Sequence, residues 1–242
     1  MTNDTRLTID RTQKVVIGNC TLYNCDFRDI LPEIRSATVI TDPPFNIGYK
    51  YGQHDDNMDD EAYWEMLDTL SRYPSVFIHY MESLFKLSWI RGDIPEKVVA
   101  WVYNANTPRQ WRGVAWWLCK PDFTLDGQDY KNPTDKRIKE RIANGERARL
   151  YDWWEFQQVK NVSKEKTDHP CQMPVALLER IIKITPCDTI FEPFLGSGTT
   201  AVAAQRLNRK IIGCEIDSKY FDIACKRLES ELRSEYREES EK

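Results

Sequence analysis

The 242-residue sequence has no run of about 18 apolar residues, so no segment reads as a membrane-spanning helix. It has no CxxC pair. The seven cysteines (Cys20, Cys25, Cys119, Cys171, Cys187, Cys214 and Cys225) are odd in number and dispersed, which speaks against a disulfide framework or a zinc site and for a reducing compartment. No basic-then-apolar leader opens the chain, since Met1 to Thr12 is polar and mixed in charge; a cytoplasmic location is the expectation. An excess of positive charge is missing too: 34 Lys plus Arg against 38 Asp plus Glu give −4, which taken whole argues against a polyanionic partner. No internal repeat is present. What remains, 41% hydrophobic and 30% charged residues, suits one ordered domain over 1–242.

The outer thirds alternate strands with helices. Val15 to Ile17, Val39 to Thr41, Val76 to His79 and Val98 to Tyr103 read as strands, with a helix over Glu61 to Tyr73. Later, Val175, Leu178, Ile181 and Ile182 have the spacing of one helical face. The strand Thr189 to Phe191, a helix from Thr199 to Leu207, the strand Lys210 to Cys214 and a closing helix from Tyr220 follow, which demands a parallel pair and a right-handed crossover. The stretch 120–166 breaks this alternation and reads as an insertion outside the sheet, with an aromatic patch at Tyr151, Trp153, Trp154 and Phe156. Trp101, Trp111, Trp116 and Trp117 read as packing residues. Residues 229–242 are dense in charge and predict a frayed tail.

The turn Phe191-Glu192-Pro193-Phe194-Leu195-Gly196-Ser197-Gly198-Thr199-Thr200 lets backbone approach a ligand closely. It has no Walker lysine and no GxGxxG spacing, so phosphate is a poor fit. Glu215, at the end of the next strand, can accept hydrogen bonds from ribose hydroxyls. Together they point to a nucleoside without phosphates.

Asp42-Pro43-Pro44-Phe45 ends a strand abruptly. An exocyclic amine on a nucleobase is a poor nucleophile until its N–H groups are held by acceptors that turn the lone pair towards an electrophile. The Asp42 carboxylate and the Pro43 carbonyl are such acceptors, and Phe45 offers a stacking surface for a base flipped out of its duplex.

These segments, with His169-Pro170-Cys171-Gln172-Met173-Pro174 and Arg227-Leu228, resemble the S-adenosylmethionine-dependent amino-methyltransferases of DNA. The tetrapeptide precedes the cofactor loop, as in the permuted β-class. The resemblance implies an α/β, Rossmann-like methyltransferase fold with a seven-stranded mixed sheet containing one antiparallel strand, a circularly permuted motif order and a small target-recognition insertion. It implies catalytic roles for Asp42, Pro43, Pro44 and Phe45. It implies a cofactor site built from Asp26 near the adenine, His169, Pro170 and Gln172 at the methionine end, Phe191, Glu192, Pro193, Phe194, Gly196, Ser197, Gly198, Thr199, Thr200 and Glu215. Glu192 stands where the family usually has Asp, and Met173 where it usually has Lys. No metal site is expected, His169 and Cys171 having no evident further ligands.

Asp in the tetrapeptide favours adenine N6 as the acceptor, since many cytosine-N4 members carry Ser there. Cytosine N4 is the nearest rival, an RNA or small-molecule amine a further one, and a catalytically silent DNA- or partner-binding relative a rival of another class. The expected partner is double-stranded DNA; a homodimer and a cognate restriction endonuclease are further expectations from the resemblance. Residues 55–61 and 229–242 together carry −8, leaving +4 elsewhere. Residues 131–149 hold seven basic against three acidic side chains, so Lys131, Lys136, Arg137, Lys139 and Arg141 are the candidate DNA contacts, with ion-paired helix surface as the alternative for about half of them. The acidic, glycine-containing stretch 46–60 reads as a lid over the flipped base.

Overall fold

The β-branched runs at the start fold back on each other as β1 (Gln13–Ile17) and β2 (Cys20–Asn24) in a computed structural model that describes residues 13–51, 54–163 and 165–240. Helix α1 (Phe27–Ile30) and a short 3-10 turn lead into β3 (Thr38–Thr41). A small hairpin, β4 (Tyr49–Tyr51) and β5 (His54–Asp56), precedes α2 (Asp60–Ser71), β6 (Ser75–His79), α3 (Met81–Arg91), β7 (Lys97–Val102) and β8 (Trp111–Trp117). The middle holds β9 (Gly127–Gln128), α4 (Lys136–Ala143), β10 (Ala148–Arg149) and β11 (Trp153–Glu155). Then come α5 (Val175–Ile184), β12 (Thr189–Glu192), α6 (Thr199–Arg206), β13 (Lys210–Cys214) and α7 (Ser218–Ser240).

The main sheet runs β1-β2-β13-β12-β3-β6-β8-β7-β11. It is mixed: β8 lies antiparallel to both its neighbours and β1 to β2, while the other ladders are parallel. Helices cover both faces, so β3 and β6 are buried at every position and read as apolar runs rather than alternating ones. Ile181 and Ile182 of α5, Ala203 of α6 and Leu228 of α7 belong to the core on one face. Leu67 and Leu70 of α2 and Leu87 of α3 belong to the core on the other.

Three expectations change. The sheet has nine strands, not seven, because the β1–β2 hairpin extends one edge and β11 the other. The middle segment therefore does join the sheet. Trp154 pairs in register with Trp101, is 1% exposed, and sets its ring against Trp116 at 6.2 Å, so burying this indole draws the segment onto the edge. The closing helix continues to Ser240 where charge density predicts fraying: Leu228 is buried, Leu232 packs on the core, and Glu231 pairs with Arg206. Among the described residues no helix is long and apolar enough to cross a membrane.

The topology places two loops together. Strands β3 and β12 are parallel neighbours, so Asp42 and Pro193 leave the same edge of the sheet. Because β8 runs the other way, its first residues also lie at that edge, with Gly113 opposite His79 at the end of β6.

Candidate active site

A cavity of about 530 Å³ opens at this edge. Asp42, Pro43, Pro44 and Phe45 line it together with Asp26, His169, Gln172, Glu192, Pro193, Phe194, Gly196, Ser197, Thr199, Thr200 and Glu215. Phe191 lies beneath it, wholly buried in the core, and Gly198 and the exposed Pro170 are not in its wall.

Glu215 braces the glycine turn. One carboxylate oxygen accepts the Gly196 N–H at 2.7 Å and the other the Asp217 N–H at 2.9 Å, leaving lone pairs on both for a ligand. Burial pushes its carboxyl up to about 6 against these hydrogen bonds. The turn requires its glycines: Gly196 has φ +54 and packs where a Cβ would press on the His169 ring, and Gly198, at φ +77, lies against the backbone and side chain of Ala224 in α7. Arg227 of α7 donates to the Ser197 carbonyl and to Thr199 Oγ1, tying the turn down from below. Six carboxylates line the cavity (Asp26, Asp42, Asp56, Glu192, Glu215 and Asp217) against two arginines, and burial and Lys166 depress His169 to about 4, so it is neutral. Such a cavity suits a cationic ligand of nucleoside size. Asp26 caps α1 by accepting the Arg28 N–H and pairs with the Arg28 guanidinium at 3.2 Å.

The tetrapeptide is held by a chain of hydrogen bonds from α2 and β6. The Tyr80 N–H donates to His79 Nδ1, which leaves the ring proton on Nε2. That proton faces the Tyr63 hydroxyl at 2.7 Å, and Tyr63 in turn donates to the Pro44 carbonyl at 3.0 Å. Burial lowers His79 to about 3, so the relay stays neutral. The Phe45 ring stacks on His79 at 4.3 Å. Downstream, Asp56 accepts the Asn46 and Ile47 N–H groups, and the Asn46 side chain exchanges hydrogen bonds with the backbone of Met58. The stretch read as a lid thus rests on an ordered base, in which Asp56 is buried.

Two buried groups flank Asp42, the Arg112 guanidinium and the Glu192 carboxyl. Arg112, from the start of β8, places Nη1 at 3.2 Å from its carboxylate. Burial pushes Asp42 up to about 6, with Arg112 pulling the other way. Glu192 accepts from Thr41 at 2.6 Å, Thr200 at 2.8 Å and the Phe194 N–H at 3.2 Å; burial pushes it up to about 8. Its extra methylene relative to Asp lets one carboxylate span from α6 to the residue before Asp42.

Lys131 and the four α4 residues sit apart from this wall. Lys131 lies over Tyr151 and Trp153, and Arg141 pairs with Glu146. Helix α4 buries none of its residues and is capped by Asp135, leaving Lys136, Arg137 and Lys139 exposed. Reading the sequence missed Tyr63, His79, Arg112 and Asp217. A polar residue ending an apolar strand could have flagged His79; nothing local marks Arg112. Gln172 is engaged within its own loop, bonding Thr167 and the Glu165 carbonyl.

The family model described as DNA methylase matches residues 90–226. The type II methyltransferase M.ScaI of Streptomyces caespitosus is 30% identical over 259 residues, covering 88% of this chain and 82% of the relative. Among solved structures, an M1.HpyAVI–SAM complex superposes with a TM-score of 0.56 at 21% identity, covering 86% of this chain and 99% of that one. The cytosine-N4-specific PvuII DNA methyltransferase gives 0.61 at 16% identity, covering 87% and 86%.

Proposed function

The chain belongs to the β-class S-adenosylmethionine-dependent DNA amino-methyltransferases, the adenine-N6/cytosine-N4 family, and from that premise we propose that it methylates N6 of an adenine flipped out of double-stranded DNA. The observation that carries this reading is the carboxylate of Asp42 in one cavity with the Gly196 turn and Glu215. Bound S-adenosylmethionine supplies an electrophilic methyl group. Asp26 and Glu215 would hold its nucleoside part, and the carboxylate-rich wall would favour its positive charge. Asp42 and the Pro43 carbonyl accept the two N–H groups of the base, so the nitrogen lone pair is freed from the ring to form the new N–C bond as the methyl–sulfur bond breaks, its electron pair staying with the departing thioether. The nitrogen then sheds a proton, for which ionised Asp42 is the adjacent acceptor. The Tyr63–His79 relay fixes the loop that carries both acceptors.

The deciding experiment incubates the protein with radiolabelled S-adenosylmethionine and a diverse unmethylated duplex and identifies the modified nucleoside. N6-methyladenine is expected. N4-methylcytosine would move the acceptor to the rival base, and no transfer at high protein concentration would assign the chain to a silent branch of the family.

Helix α4 is the proposed DNA-binding element, because it commits no side chain to the core. Replacing Lys136, Arg137, Lys139 and Arg141 by Ala together should flatten the dependence of DNA affinity on salt by about 0.9 for each phosphate no longer neutralised; an unchanged slope would return the helix to ordinary solvated surface. A cognate endonuclease and pairing with a second copy belong to the same reading, and Phe85 and Trp89, one turn apart on α3 and 66% and 83% exposed, are the apolar surface best suited to the latter.

A further inference from the structure

We propose that Arg112 stands in the place the target base must take, imitating it with a flat side chain that donates to Asp42 and packs on Phe45, and that it swings aside before methyl transfer. The inference rests on the adenine-methylation reading and adds a gate to it.

A flipped amino-base needs two things from this wall: an acceptor for its N–H groups and an aromatic surface for its ring. Arg112 already uses both. Its Nη1 donates to the Asp42 oxygens at 3.2 and 3.3 Å, and its guanidinium carbon lies 4.7 Å from the centre of the Phe45 ring. A guanidinium is planar, offers only donors and stacks on aromatic rings, and an exocyclic amine with its ring presents the same two features. Arg112 also lies in the cavity wall, 15% exposed, with Nη1 3.9 Å from the sulfur of Met173. Base and arginine cannot both hold the Asp42 acceptor and the Phe45 surface.

Two details make the residue suited to leave. Its buried Nε–H has no hydrogen-bond partner among the described residues, so its present position leaves one strong donor unsatisfied. The half-buried Tyr80, whose ring centre lies 5.8 Å from the guanidinium carbon, also lines the cavity and offers an aromatic surface towards which the side chain can turn on release. Its root at the start of the reversed strand β8 brings the side chain into the cavity wall beside Asp42.

The test uses the full-length enzyme with unmethylated genomic duplex and saturating S-adenosylmethionine, comparing wild type with Arg112→Ala and Arg112→Lys. The groups facing Asp42 are Arg112 from β8, Glu192 from β12 and Tyr63 from α2. Removing Arg112 takes away the cation among them, so Arg112→Ala should move the acid limb of kcat/KM for DNA, which reports the free enzyme, to higher pH by about one pH unit, and Arg112→Lys should leave it in place. Above that limb, Arg112→Ala should lower the KM for DNA about tenfold, because the base no longer displaces a resident side chain. Guanidinium ion at sub-denaturing concentration should then inhibit Arg112→Ala in competition with DNA by refilling the place, and leave wild type unaffected against matched sodium chloride. A raised KM for DNA, or guanidinium restoring turnover to Arg112→Ala, would overturn the gate and make Arg112 a support needed during transfer. Cofactor binding by calorimetry separates a folded variant from a collapsed one. Wild-type enzyme that yields no methylated adenine would defeat the functional reading itself.

Discussion

Asp42→Asn should lower the rate of methyl transfer about a thousandfold while cofactor affinity holds. The amide keeps the shape of the carboxylate and can still accept one hydrogen bond, but its NH2 turns a donor towards a group that also donates, and it takes up no proton. The measurement is single-turnover transfer with saturating cofactor, alongside calorimetric titration of the cofactor. Loss of cofactor binding instead would mean that Asp42 acts on the other half of the cavity. The pH dependence follows from the same group. Burial pushes Asp42 up to about 6, so the acceptor is ionised above that pH and protonated below it. Turnover should therefore fall as pH drops through about 6, and the residual rate of Asp42→Asn should show no such fall. Saturating cofactor matters here because Glu215 is also pushed up to about 6 and would otherwise add its own limb through binding.

Glu215→Gln should weaken the cofactor Kd about a hundredfold with little effect on DNA affinity. Two charge-assisted hydrogen bonds to a ligand contribute about 1.5 kcal/mol or more each, and about 3 kcal/mol corresponds to two decades of affinity. The glutamine also faces either the Gly196 or the Asp217 N–H with an NH2 group, so one brace of the glycine turn is removed. Isothermal titration at pH 8, where the native carboxyl is ionised, reads the effect; a Kd unchanged within error would remove Glu215 from the cofactor site.

The parts of the site legible in the sequence are those that follow a strand end within a few residues. Asp42 after Thr41, Glu192 closing β12 and Glu215 after Cys214 could be found because apolar, β-branched runs stop there and polar chemistry begins. Strand boundaries were legible for the same reason: Lys210–Cys214 is as read, and β6 begins one residue earlier than Val76. Arg112 escaped because it enters at the beginning of a strand, and only the reversed direction of β8 brings it to the working edge. Tyr63 escaped because it is one apolar-looking position on α2, distinguished by a hydroxyl whose partners come from β6 and from the tetrapeptide loop. The middle segment was misjudged at Trp153–Glu155, where three residues are too few to show a period and tertiary burial of Trp154 decides the outcome.

Glu192 and Thr41 are 151 residues apart in the chain yet share a 2.6 Å hydrogen bond at the centre of the sheet. On the ribosome the acceptor loop is therefore made long before the wall it leans on, and β3 must wait for β12 to complete its ladder. The cofactor half of the site does not exist in a nascent chain that stops short of α6, although the pairing of β3 with β6 is already available to the acceptor half. Competence to modify DNA thus waits on β12 and β13, which close the sheet between β2 and β3.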